Sequence, residues 1–236
     1  MKFGEIVTGI SLLLSCGMMA CSESSSTEPS LEEILAEYSV AYEFNDPTNV
    51  GLDFFGKNNA IQDKSMPAVV VENGSLVLDG SSGLRIPLSA DFKNQSFVVE
   101  TRFMPTKPSK LGNIFSADPP GGGYDGWMVR MEDSAVTFHI RGGSDDWKDF
   151  SAGTISMNEW HVIRVKLSYT AAENLTVEAY KLEITLDGKN CVSEILYNTA
   201  SNLKYDLGIG YDPHHQSQYQ DRFFTGKIDY IRYGKI

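Results

Sequence analysis

Apolar residues in this chain recur at every second position, in short runs closed off by Gly, Asp, Asn or Pro, and that period specifies strands. Phe97, Val99, Thr101 and Phe103 fall on one face of such a run, with Val98, Glu100 and Arg102 on the other. Trp127, Val129 and Met131 repeat the pattern, as do Val136, Phe138 and Ile140 with His139 and Arg141 opposite. The short link Glu132-Asp133-Ser134 joins those two strands as a hairpin. His161, Ile163, Val165 and Leu167 form another dry face, and Leu182, Ile184 and Leu186 alternate up to the turn signal Asp187-Gly188. Between Ser65 and Pro87, two further apolar runs flank Asn73-Gly74. No long helical pattern intervenes. One antiparallel sheet would leave an apolar face in water, whereas two facing sheets bury both, so the expected fold is an all-β, two-sheet antiparallel β-sandwich.

The ends and the charge narrow the rest. The first residues carry Lys2, then an apolar stretch from Ile6 to Leu14 continuing to Ala20, which is too short for a stable membrane span and reads as a secretion signal. A cysteine follows a small residue at two places, Ser15-Cys16 and Ala20-Cys21, in the manner of a bacterial lipoprotein signal. Lipidation is expected at Cys21, or alternatively at Cys16. The expected organisation is therefore a leader over 1–21, a polar tether over 22–37 with a capping-box start for a short helix at Ser30 and Glu33, and a sandwich domain over 38–236. The expected location is exported and membrane-anchored by an N-terminal lipid, at the outer membrane or cell surface. Beyond the leader only Cys191 remains, so no internal disulfide is available and packing must hold the domain. Lys plus Arg is 20 against 31 for Asp plus Glu, a formal net charge of -11 with no basic run, which excludes nucleic acid as a partner.

The order of several pieces resembles the concanavalin A-like, laminin G-like jelly-roll modules of bacterial carbohydrate-related proteins. The pieces are Ala41 to Asp46, Leu76 to Pro87, Gln95 to Pro105, Asn158 to Val165, Leu182 to Gly188, Leu207 to Gly210 and Phe224 to Tyr233. The resemblance implies a concanavalin A-like jelly roll and a polysaccharide or glycan as partner. It also implies one structural calcium near the meeting of the first and last strands, with Asp46 and Asp229 as the residues carried over, since a hard cation takes oxygen ligands from separate loops. Some hydrolases with this fold carry a Glu-x-Asp-x-Glu strand, and no such triplet occurs here.

Three loops hold the candidate chemistry. Asp118 to Trp127 has two prolines and three consecutive glycines before Tyr124 and Asp125, a composition that lets backbone approach a ligand closely. Trp127 itself shares the phase of Val129 and Met131 and is expected in the core. Arg141 to Phe150 sets Trp147 among Asp145, Asp146, Lys148 and Asp149, an aromatic platform beside hydroxyl-accepting carboxylates. Tyr211 to Arg222 gathers His214, Tyr219 and Arg222. His139 and Arg141 share a strand face on which a ligand groove would lie, and His161 is expected in the core. Noncatalytic glycan binding is the leading expectation. The alternatives are a polysaccharide-cleaving hydrolase or lyase, for which Glu100, Glu132 and Glu178 are the scattered acids, and a structural or adhesion module.

Overall fold

A computed structural model describes residues 29–93, 95–119, 125–142, 146–170, 178–197, 203–214 and 222–236. The alternating runs become the strands of two antiparallel sheets. In the first sheet, hydrogen-bonded order runs through β13 (Lys189–Tyr197), β12 (Ala179–Leu186), β11 (His161–Thr170), β6 (Phe97–Pro105), β15 (Thr225–Lys235), β4 (Ser75–Asp79) and β3 (Val70–Glu72), and β1 (Val40–Tyr42) pairs with the far half of β15. The second runs through β10 (Lys148–Thr154), β9 (Ala135–Arg141), β8 (Gly126–Asp133), β7 (Ser109–Ala117), β14 (Leu207–Ile209), β5 (Leu84–Ile86) and β2 (Ile61–Gln62). Tight turns fix the register where the sequence signals them. Asn73-Gly74 and Asp187-Gly188 both take positive φ at the two central positions, at 52° and 74° and at 50° and 74°, the mirror-image turn whose twist suits a hairpin.

The faces turned inward are those the period selects. Phe97, Val99 and Phe103 of the first sheet and Trp127, Val129, Phe138 and Ile140 of the second are all buried, together with Ile163, Val165, Leu182 and Ile184. Trp127 ties the sheets together: its ring lies 5.3 Å from Phe97 and 6.1 Å from Tyr233 across the sandwich, and 5.1 Å from Phe115 beside it. Its expected place in the core is confirmed. His161 is also buried, between Asp187 at 2.8 Å and the Ser156 carbonyl at 3.1 Å. Cys191 lies exposed on the edge strand β13.

The segment ahead of β1 is packed against the sandwich. Ser30 and Glu33 exchange both bonds of a capping box, at 2.7 and 3.3 Å, and begin the helix α1 (Leu31–Leu35). Leu35 is buried with Tyr38, Ala41 and Val98, on the outer face of the first sheet. Arg164 reaches Glu37 at 2.8 Å and Glu100 at 3.2 Å on that same face, and Arg232 makes a two-pronged pair with Glu43 at 2.8 and 3.0 Å.

Candidate functional site

The outer face of the second sheet is polar and nevertheless covered. Strands β7, β8 and β9 each send alternate residues outward, and Asn113, Ser116, Arg130, Thr137 and His139 among them are buried, along with Met128. Buried polar groups need partners, so this face invites an account of each. Ser116 Oγ donates to the Tyr211 carbonyl at 2.9 Å, and Arg130 Nε donates to Asn113 Oδ1 at 3.0 Å. Arg222 Nη1 reaches Asp118 at 2.5 Å and Asp212 at 3.0 Å, so a half-buried cation stands between two buried carboxylates. Burial raises the Asp212 carboxyl above its ordinary range, against the pull of its hydrogen bonds and of Arg222.

A cavity of about 250 Å³ opens on this face, lined by Asp118, Met128, Arg130, Glu132, His139, Trp147, Asp149 and Arg222. Asp149 pairs opposite His139 in the β9–β10 ladder, which brings its carboxylate to 2.6 Å from His139 Nδ1. Burial, and after it the charge of Arg130, push the imidazole below its ordinary pKa while Asp149 and Glu132 pull upward. The ring is therefore neutral near pH 7, with its Nδ1–H held by Asp149 and the lone pair of Nε2 left over. Nε2 lies 3.2 Å from Glu132 Oε1 but makes no hydrogen bond there. Both atoms are acceptors, so a hydroxyl donating between them satisfies the pair. Arg130 Nη2 and Asn113 Nδ2 are likewise buried without a hydrogen-bond partner.

Trp147 stands at the mouth, half buried. It lies so close to β8 that a Cβ built on Gly126 would sit 3.1 Å from its ring and 2.6 Å from the Ala117 carbonyl, which makes the absence of a side chain at Gly126 part of the wall. Asp125 precedes β8, half buried, and Arg141 lies two residues beyond His139 on the same face; neither is among the residues lining the cavity. His139 is bonded to Asp149 and lies beside Glu132. His214 belongs to a neighbouring cavity of about 590 Å³ with Arg85 and Asp206, its Nε2 lying 3.1 Å from the Asp206 carbonyl and its ring 5.3 Å from that of Tyr205. Tyr124, Tyr219, Cys16 and Cys21 lie outside the described residues.

The scattered acids do not gather. Glu100 joins the arginines on the outer face of the first sheet, Glu178 accepts from Tyr180 at 3.1 Å, and Glu132 lines the cavity. The two carboxylates expected at calcium are each engaged locally. Asp46 accepts from the Thr48 amide and hydroxyl at 2.8 and 2.7 Å, and Asp229 pairs with Arg102 at 2.6 Å. Among the described residues, no group of three or more His, Cys, Asp or Glu side chains converges.

A family model described as the concanavalin A-like lectin/glucanases superfamily matches residues 78–233. No curated protein matches the chain. Among solved structures, domain 4 of AbnA, a GH43 extracellular arabinanase from Geobacillus stearothermophilus in complex with arabinotriose, superposes with a TM-score of 0.62 at 17% identity, over 84% of this chain and 92% of that one. A structure of botulinum neurotoxin type C, whose cell entry depends on interaction with two ganglioside molecules, gives 0.58 at 11% identity over 87% of this chain and 50% of that one. The binding domain of Paraclostridial Mosquitocidal Protein 1 gives 0.52 at 13%, over 85% and 47%. The chain thus spans about half the length of the toxin chains it matches.

Proposed function

Because the chain belongs to the concanavalin A-like lectin/glucanases superfamily, we propose that it binds a glycan without cleaving it, in the cavity on the outer face of its second sheet. The observation that carries this reading is the pairing of Trp147 at the mouth with buried polar atoms below it, His139 Nε2 and Arg130 Nη2, that find no hydrogen-bond partner among the described residues. A sugar offers what both features lack: an apolar ring face to stack on the indole and hydroxyls to satisfy the polar floor. The arabinotriose complex and the ganglioside-dependent toxin, built on the same fold, support the ligand class. We further propose that the leader anchors the domain by a lipid on Cys21, or on Cys16, at the outer membrane or cell surface; radiolabelled palmitate incorporation, lost in the matching Cys→Ala variant, tests this.

A glycan array with wild type, Trp147→Ala and His139→Ala tests the binding site. Binding by wild type that falls at least roughly tenfold in both variants is the expected result, since loss of a stacking ring or a buried hydrogen bond costs on the order of 1.4 kcal/mol or more. No binding to any glycan would overturn the reading. So would new reducing ends or unsaturated products when the protein is incubated with the glycan it binds, because Asp149 and His139 would then be acting as an oriented base.

A further inference from the structure

Arg130 is a buried guanidinium that faces no carboxylate at ion-pair distance among the described residues. Arg85, Arg102, Arg164, Arg222 and Arg232 each face one, at 2.5 to 3.2 Å. Arg130 is 7% exposed, its Nε is held by an amide oxygen of Asn113, and its Nη2 has no hydrogen-bond partner among the described residues. A charge removed from water is retained only when something compensates it, and an isolated one costs several kcal/mol. The nearby acids do not supply that partner: Asp118 and Asp212 are bound to Arg222, and Glu132 and Asp149 flank His139. Burial, and after it the like charge of Arg222, pull the guanidinium below its ordinary value, against the opposing pull of Asp118, Glu132 and Asp212.

We infer that the cavity takes a glycan bearing a single carboxylate, with Arg130 as the residue that binds it. This rests on the glycan-binding reading and sharpens it. A carboxylate is planar and accepts only, which matches a guanidinium edge whose free nitrogen can only donate. The surroundings select against dense polyanions. The chain carries a formal net charge of -11, and Glu132 and Asp149, with side chains 39% and 59% exposed, stand at the mouth. One acidic sugar on an otherwise neutral chain reaches Arg130 without bringing further charge past them. Uronic and sialic acids share this chemistry.

The test is calorimetric titration of the mature chain with a glucuronosyl disaccharide, with sialyllactose, with the methyl ester of each, with lactose and with a sulfated disaccharide. The expected result is binding of one acidic sugar, weakened roughly 10- to 100-fold both by esterification and by Arg130→Met, from the strength of a charged hydrogen bond. Which of the two acids binds identifies the source of the carboxylate. Thermal midpoints separate this role from a structural one. Arg130→Met without ligand should hold or raise the midpoint, since it removes a buried charge that meets no carboxylate at ion-pair distance among the described residues, whereas a structural arginine would lower it. Arg130→Lys, which keeps the charge but loses the planar fork, should retain folding and lose most of the affinity. Equal binding of ester and acid, preference for the sulfated sugar, or a lowered midpoint in Arg130→Met would each overturn the inference. Trp147-dependent binding of neutral sugars alone would overturn it and leave the broader reading standing, and binding of no sugar at all would remove both.

Discussion

Two tryptophans twenty positions apart in the chain should answer in opposite ways to the same substitution. Trp127 is 1% exposed and packs against Phe97 and Tyr233 of one sheet and Phe115 of the other. Truncating such a side chain removes its transfer energy and leaves a cavity that neighbours drawn from two sheets cannot easily fill, at a cost of about 3–5 kcal/mol. For a domain of this size each kcal/mol moves the midpoint by roughly 2–4 °C, so Trp127→Ala should lower it by roughly 6–20 °C. Trp147 is half buried at a cavity mouth, and Trp147→Ala should cost about 1 kcal/mol or less, as for substitutions away from the core. Urea unfolding followed by far-ultraviolet circular dichroism measures both, and an unchanged slope with denaturant shows that only stability has moved. A loss below about 1 kcal/mol for Trp127→Ala, or equal losses for the two variants, would refute the assignment of one ring to the seam between sheets and the other to the site.

Other outcomes follow from the charged groups. His139 is held below its ordinary value of 6.5 by burial and by Arg130. The unfolded chain therefore binds the proton first, and the stability from this group is whole above about pH 6.5 and drains away as the pH falls below it. The thermal midpoint of wild type should drop more between pH 7.5 and 5.5 than that of His139→Gln, and equal slopes would count against a buried neutral ring. Glu43→Gln strips the two-pronged partner from Arg232, whose side chain is 9% exposed, while Glu100 at 3.6 Å still offers some compensation. A loss of about 1–3 kcal/mol in urea unfolding is expected, less than for a fully orphaned buried ion. Calcium in excess over a chelator tests the site expected at Asp46 and Asp229, and an unchanged midpoint would count against it. A bound ion at a hundred times its dissociation constant would add about 2.7 kcal/mol, a rise of roughly 5–11 °C, and such a rise would place a calcium site in the chain.

The sandwich was legible because its signal is local. Each of Phe97, Val129, Ile140 and Val165 declares its face through neighbours two residues away, and the turns at Asn73-Gly74 and Asp187-Gly188 declare themselves in two residues. The site was legible in part for the same reason: His139 stands opposite Phe138 and Ile140, and that phase alone puts it on the outer face. Its partner Asp149 was not, since it reads as one acid in a polar loop until the ladder of β9 and β10 sets it across from the histidine. Arg130 alternates with Val129 and Met131 and so was visibly outward, but an outward arginine is ordinarily solvated. What makes it unusual is that its face is covered, and coverage depends on segments distant in sequence, such as Asp118 and Arg222. Asp46 and Asp229 were placed by family likeness alone, and their contacts with Thr48 and Arg102 depend on neighbours that the likeness does not weigh.

The docking of α1 sets which way the molecule points. Leu35 and Glu37 hold the entering chain to Val98 and Arg164 on the back of the first sheet, while the cavity beside Trp147 opens from the far side of the second. Under the lipid anchor proposed above, a pull transmitted through Ser30 would come from behind and would turn the mouth toward the surrounding medium. Severing the Glu37–Arg164 link would slacken that hold and widen the range of directions the mouth samples, without touching a residue that meets the ligand.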